Sequence, residues 1–409
     1  MSSRIKIADL ARPEFKANPY PFYARLRADT PVCPTSLLGQ PTWLISRYDD
    51  VVMVLKDERF TKDWFPTTRW LHRLSGAVTR NMLNKDAPDH TRLRALVHKA
   101  FTPSLVERLR DRIQRLCNEL LDRWLVGECL DLMSGYALLL PLTIIGELLG
   151  IPAEQRTRLH RLSRSSLSAS NVLGVLRSFP DQRLLAGQLR KLIAERRARP
   201  QEDLITALVQ VEESGDRLSE EELVAMIVLL LIAGYETTVN LIGTGALALI
   251  EDRRQRELFL ENPAVAEAAI EELLRHSSPL DLATQRFARE AVRLNGVTIQ
   301  QGHVIVAVLG SANHDESQFK NPEMLDLARE PNRHVAFGQG VHFCLGAPLA
   351  RLEGSIALLT LFRRFPELRL ARDVKSLRWR RSLIIRGLEE LPVIVQNEDD
   401  TDRPFRIRP

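Results

Sequence analysis

The segment from Leu223 to Ile250 constrains the fold more than any other stretch of the chain. Its first part, Val224-Ala225-Met226-Ile227-Val228-Leu229-Leu230-Leu231-Ile232, is apolar at every position, so as a helix it offers water no polar face. Ahead of it, Ser219 with Glu222 three residues on reads as a capping box, and Glu220-Glu221-Glu222 suits the positive end of a helix. Its length would permit a membrane span, with Arg253 and Arg254 as a basic flank. Glu236 argues against that: a carboxylate at mid-bilayer costs about 2.5–3.5 kcal/mol on insertion scales, and Thr237, Thr238 and Asn240 come after it. A helix that is apolar all round yet polar at its middle belongs in a protein core, enclosed by other helices.

The rest of the chain supplies such neighbours. Helical patterns run over Leu105 to Leu125, Gln182 to Arg197, Ala264 to His276 and Ala347 to Phe362. Strand-like runs are short: Trp43 to Ser46, Val292 to Ile299 and Val304 to Val308. The expected class is mainly α with small β-sheets. At 409 residues the chain exceeds the usual domain size, yet no linker, repeat or low-complexity tract divides it. The reading is one domain over residues 1–409, with no second module fused to it. Cys33, Cys117, Cys129 and Cys344 fit neither a disulfide framework nor a zinc pattern. Met1-Ser2-Ser3-Arg4-Ile5-Lys6 leads into no apolar signal region, so a cytoplasmic protein without a membrane anchor is expected. The net charge of +5 raises a nucleic-acid reading, but no Lys/Arg tract interleaved with aromatics supports it.

Chemistry concentrates in Phe337-Gly338-Gln339-Gly340-Val341-His342-Phe343-Cys344-Leu345-Gly346. An isolated cysteine is ordinarily a small buried hydrophobe. This one ends a glycine-punctuated loop at the mouth of a predicted helix, where unpaired N–H groups and the helix dipole favour a thiolate. Gly338 and Gly340 supply turns that a Cβ resists, Gly346 lets a flat ligand approach, and Pro348 suits a first helical turn. Phe337 can cover the sulfur and exclude water. A dry, hydrogen-bonded thiolate on one side of a planar cofactor makes haem iron electron-rich enough to cleave an O–O bond.

This loop resembles the haem-binding signature of the cytochrome P-450 superfamily, specifically its soluble bacterial members, and the resemblance extends over most of the chain. It implies a cytochrome P-450 fold, with haem b held between the central helix and the cysteine loop, and Cys344 as the iron ligand. Ala233-Gly234-Tyr235-Glu236-Thr237-Thr238 matches the family's oxygen-activation motif. There Ala233 and Gly234 leave room beside the helix, and Thr237 and Glu236 are the catalytic pair that delivers protons. Glu272 and Arg275 in Glu271-Glu272-Leu273-Leu274-Arg275, with Arg329, match a buried structural network. His90, Arg94, Arg286 and His342 match the propionate-binding positions; on its own, a His/Arg pair four residues apart is ordinarily a solvated helix face.

The resemblance implies a haem-thiolate monooxygenase that inserts one atom of O2 into an apolar small molecule. Its electrons would come from a separate acidic ferredoxin and ferredoxin reductase, with Arg108, Arg112, Arg351 and Arg363 steering the donor. Alternatives are a peroxide-driven haem-thiolate peroxygenase and a non-catalytic haem-binding partner protein. Such relatives usually lack, respectively, the acid–alcohol pair or an intact cysteine loop, and both features are present here. Candidate substrate contacts are Trp64, Phe65, Trp70, Leu71, Leu173 to Phe179, Leu229, Leu230, Ala233, Leu280, Leu282, Ala283, Leu383 and Ile384. Their apolar character suggests a terpenoid, fatty acyl chain, steroid or macrolide.

Overall fold

The apolar segment forms a single helix, Glu220–Glu251, extending beyond its apolar run at both ends. In the computed structural model, which describes residues 6–37, 39–62, 81–167, 172–213 and 216–396, it begins at the predicted capping box. The Ser219 hydroxyl accepts from the Glu222 amide, and the Glu222 carboxylate accepts from the Ser219 amide at 2.8 Å. Among the described residues it is the one unbroken helix long and apolar enough to cross a membrane, and 67 % of its most apolar stretch is packed inside the protein. Leu223, Ile227, Leu231, Ile242 and Leu249 are each at most 1 % exposed. Burying side chains of this kind stabilises by about 1.5–3 kcal/mol each.

Helices Leu139–Leu148, Val172–Ala198, Pro263–His276 and Ala347–Arg364 pack on this central helix. The pattern over Leu105 to Leu125 is split in two. Thr102 caps a short helix, Pro103–Glu107, and the chain turns at Arg108 and Leu109 before Arg110–Leu121 begins. The turn is tight, with Leu109 N–H donating to Val106 O at 3.0 Å. Both pieces then lie against Ala347–Arg364.

A five-stranded sheet flanks the helices, in the order Val32–Leu37, Gln40–Ile45, Val304–Ala307, Arg286–Ala288, Phe60–Thr61. Gln40–Ile45 runs parallel to Val304–Ala307, with Trp43 opposite Ile305, and the other pairings are antiparallel. This register sets Arg286 opposite Ile305 and ends the edge strand immediately before Lys62. The run Val292 to Ile299 is a hairpin, Val292–Leu294 against Val297–Ile299, turning through Asn295 and Gly296 at φ of 47° and 76°. A second sheet joins Arg369–Leu370, Pro392–Ile394 and Cys129–Asp131.

Candidate active site

A cavity of about 290 Å³ separates the central helix from the cysteine loop. Ala233, Gly234, Thr237 and Thr238 line it on one side; Phe337, Gly338, His342, Cys344 and Gly346 line it on the other. The loop is held by its own backbone: Cys344 N–H donates to Phe337 O at 3.0 Å, and Gly338 N–H to Val335 O at 2.9 Å. Gly338 and Gly340 have φ of 71° and 73°, a region that side chains resist. At Gly340 a Cβ would also lie 2.9 Å from the Leu55 carbonyl oxygen. Gly346 caps the following helix at φ −81°, and the nearest atom to a Cβ there would be Cys344 Sγ at 3.9 Å, which leaves the cavity floor open.

The sulfur of Cys344 opens into the cavity and is enclosed by protein elsewhere. Burial pushes its thiol up, while the N–H groups of Gly346 and Ala347 and the charges of Arg94 and Arg351 pull it down. Burial wins. The N–H groups at the helix start do favour the thiolate, as the sequence implies, and a coordinated metal, which deprotonates a thiol outright, would add the rest. Behind the loop, Arg351 donates to both oxygens of Glu271, at 2.6 and 2.8 Å, and its guanidinium lies 4.6 Å from the centre of the Phe337 ring. His334 Nε2 lies 3.0 Å from the same carboxylate. Burial raises the Glu271 carboxyl, but Arg351 and His334 together hold it at about 2. Glu271 and Arg351 thus form a brace that the sequence motifs did not single out.

The four propionate candidates converge on one edge of the cavity. His90 and His342 lie with ring centres 4.3 Å apart, and burial lowers both, His90 to about 4. Arg94 donates to Phe343 O at 2.8 Å; Arg286 donates to Phe60 O and Leu55 O at 3.3 and 3.2 Å. Burial lowers Arg286 to about 10. His90 Nε2, His342 Nε2 and Arg286 Nε are buried without hydrogen-bond partners. Such orphaned groups are costly unless a ligand satisfies them, and the cavity lining contains Lys62, Arg94 and Arg286 but no carboxylate. A flat dianion fits this edge, and a sulfur ligand faces the same space. The residues fit haem.

On the central helix, Thr237 Oγ1 donates to Ala233 O at 2.9 Å, one turn back along the helix. Gly234 serves packing as well as ligand space, because a Cβ there would lie 2.9 Å from Ile145 Cδ1. Glu236 departs from expectation. It does not line the cavity; it is buried and ion-paired with Arg380. A proton relayed through the Glu236 carboxylate towards Thr237 first requires that pair to part. The sequence reading also missed Glu353, on the helix after Cys344, which is fully buried. Neither of its oxygens makes a hydrogen bond of ordinary geometry, the Thr238 hydroxyl beside it offers partial relief, and burial raises its carboxyl to about 8. A glutamate flanked by Leu352 and Gly354 on a helix whose next turns are Ile356-Ala357-Leu358-Leu359 was the available signal.

The structural network forms as expected. Arg275, with no exposed surface, donates to the two Glu272 oxygens at 2.7 Å each, and Arg329 Nε donates to both at 3.1 Å. Arg275 also donates to the carbonyls of Asn313 and Pro322, at 2.9 and 2.7 Å.

Of the substrate-contact candidates, Leu229, Leu230, Ala233, Leu280 and Ala283 line the cavity. Leu282, Leu383 and Ile384 do not. Leu282 faces the opposite way along its extended segment and packs at 1 % exposure with Tyr23, Leu44 and Val308, and Leu383 joins that cluster from its rim. Ile384 contributes its backbone, accepting from Asp281 N–H at 2.8 Å. Trp64, Phe65, Trp70 and Leu71 lie outside the described residues, as do the side chains of Leu173 and Phe179. Of the four donor-steering arginines, Arg112 is tied to Glu147 and Glu119, and Arg351 to Glu271. Arg108 and Arg363 remain exposed.

Comparison with known proteins agrees with this geometry. The cytochrome P-450 family profile matches residues 180–378. The chain is similar to the polyketide biosynthesis cytochrome P-450 PksS of Bacillus subtilis (strain 168), with 42 % identity over 396 residues, 93 % of this chain and 96 % of that protein. To the vitamin D(3) 25-hydroxylase of Pseudonocardia autotrophica it is 43 % identical over 393 residues, 94 % of this chain and 96 % of that one. Among solved structures, a myxobacterial cytochrome P-450, CYP267B1 in complex with myristic acid, matches with a TM-score of 0.89 at 38 % identity, covering 95 % of this chain and 99 % of that one. Similarity of this extent, on a shared fold and with the cysteine loop and oxygen motif intact, establishes that the chain belongs to the cytochrome P-450 family.

Proposed function

We propose that this haem-thiolate monooxygenase binds its iron through Cys344 and oxidises an apolar guest seated between the central helix and the segment Leu280 to Ala283. The observation that carries the reading is the open Cys344 sulfur facing Ala233 and Thr237 across a cavity without carboxylates. Bound haem supplies activation of dioxygen and insertion of one oxygen atom into the substrate. The chain's own residues do the rest. Arg94, Arg286, His90 and His342 hold the carboxylate edge. Phe337, fixed by the Arg351 guanidinium, shields the sulfur from water.

Thr237 keeps a hydroxyl at the cavity wall, where it can pass a proton from its Oγ1 while accepting another. Glu236 is the relay behind it: once its pair with Arg380 parts, the carboxylate can take a proton from solvent and pass it on towards Thr237. Leu229, Leu230, Leu280 and Ala283 present the apolar surface that orients the guest. The relatives' names point to a polyketide route, vitamin D(3) and myristic acid, which supports an apolar guest of the steroid, fatty acyl or macrolide kind. Electrons come from a separate acidic ferredoxin served by its own reductase. The acid–alcohol pair Glu236 and Thr237 favours this reading over a peroxide-driven enzyme.

Cys344→Ser is the direct test. The variant should lose the reduced carbonyl-complex absorption band that marks thiolate ligation, while retaining the helical circular dichroism of the parent. An unchanged band would transfer the ligand role to another residue.

A further inference from the structure

Lys62 belongs to none of the family's motifs, yet it is part of the cavity wall. It follows the edge strand Phe60–Thr61 and is 4 % exposed. Its ammonium donates to neutral oxygens: the Thr284 carbonyl at 3.0 Å, the Thr284 hydroxyl, and the Gln285 carbonyl at 3.1 Å. No carboxylate among the described residues comes within ion-pairing distance of its Nζ. Asp86 is close, but Oδ2 of its carboxylate receives the Lys62 backbone N–H at 2.7 Å and the Thr61 hydroxyl, and is also 3.5 Å from Arg289. Lysines are almost never buried this deeply without a counter-charge. Burial, reinforced by the Arg286 charge and only partly offset by Asp86, lowers this ammonium well below the usual lysine range. The cavity is the side from which a counter-ion can arrive, because its lining offers cations and no acids.

We propose that Lys62 is a third cationic partner for the haem propionates, beside Arg94 and Arg286. The placement follows from the backbone. The acceptors that tether Nζ belong to Thr284 and Gln285, which directly precede Arg286, so both cations are held at one short stretch of chain. His342 Nε2 lies beside both, with the nearest carboxylate oxygen, Asp86 Oδ1, 3.8 Å away. A substrate carboxylate has the same chemistry as a propionate, but the neighbours of Lys62 are the propionate candidates. The inference rests on haem occupying this cavity, as proposed above. That premise is checked separately by the carbonyl-complex band, which Lys62 variants should retain.

Holoproteins carrying Lys62→Met and Lys62→Arg, without substrate, are compared for haem transfer to excess apomyoglobin. Loss of one charge-assisted partner should make release from Lys62→Met about tenfold faster, with Lys62→Arg within about twofold of the parent. If Lys62→Met does not accumulate, Lys62→Gln, uncharged but still a donor to Thr284, gives the same comparison. Loading with haem dimethyl ester, whose propionates carry no charge, should abolish the difference between parent and variant. Release from Lys62→Met at the parent rate would overturn the proposal. Equal acceleration with the ester would reduce Lys62 to a tether for Thr284. Unchanged release with a lost spin-state response to myristic acid would assign the charge to substrate instead.

Discussion

Glu353 is a fully buried carboxyl group, and no cation among the described residues pairs with it. Its folded-state pKa of about 8 lies above the unfolded value of 4.5, so across that interval the folded chain holds a proton that the unfolded chain has released. Stability from this group therefore falls as pH rises through that window. Each tenfold change in proton affinity is worth about 1.4 kcal/mol, which makes the full effect on the order of 4–5 kcal/mol above pH 8. Glu353→Gln should consequently be more stable than the parent at pH 8.5 and nearly equal to it at pH 4.5, as read from urea unfolding midpoints. A gain of the same size at both pH values would mean that packing, and not ionisation, set the difference. Single residues were unevenly legible in the sequence. Cys344, Thr237 and Arg286 stand inside motifs whose spacing announces them, whereas Glu353 and Lys62 become functional candidates only through what surrounds them. Glu236 is intermediate: the motif identifies it, but its pairing with Arg380 joins residues far apart in sequence.

At the scale of elements, the proximal side depends on how the helix Pro263–His276 is tied to the loops ahead of the cysteine. Glu272 receives Arg275, Arg329, Asn332 and the Asp326 amide together, the last two at 3.0 Å each. Removing the carboxylate strands two guanidinium groups, one fully buried, and loss of one member of such a network costs about 3–5 kcal/mol. Glu272→Leu should lower the urea midpoint accordingly and reduce the haem-to-protein ratio on purification. Adding Arg275→Met should recover part of the loss, because an apolar pair replaces an unpaired charge. Failure of the second substitution to recover any stability would show that Arg275 acts through the carbonyls of Asn313, Pro322 and Met324 instead. The helices themselves were readable from periodicity and caps. The break at Arg108 and Leu109 was not, because no Gly or Pro marks it there and the apolar spacing continues across it.

For the whole molecule, a net charge of +5 favours approach of an acidic electron donor. The side bearing the cysteine loop presents Val341, 66 % exposed, and Phe343, 37 % exposed. Exposed Arg108 joins the short helix Pro103–Glu107, which packs on the helix following Cys344, to that helix's neighbour Arg110–Leu121; Arg363 is exposed on the cysteine-loop helix itself. The rate of first-electron transfer from an acidic ferredoxin should fall as salt is raised from about 0.05 to 0.5 M, where screening shortens from over 10 Å to a few ångströms. Arg108→Glu with Arg363→Glu should slow it several-fold at low salt and flatten the dependence. A rate indifferent to salt would count against this docking face. The sequence by itself determined the family, and through that resemblance the class of fold and the cofactor, because the motifs that carry it are short contiguous stretches of chain. Only the tertiary structure decided which charges are already spent in ion pairs, which apolar residues reach the cavity, and which buried groups lack a partner. Those outcomes depend on contacts between residues hundreds of positions apart, whose burial and charge balance no local pattern encodes.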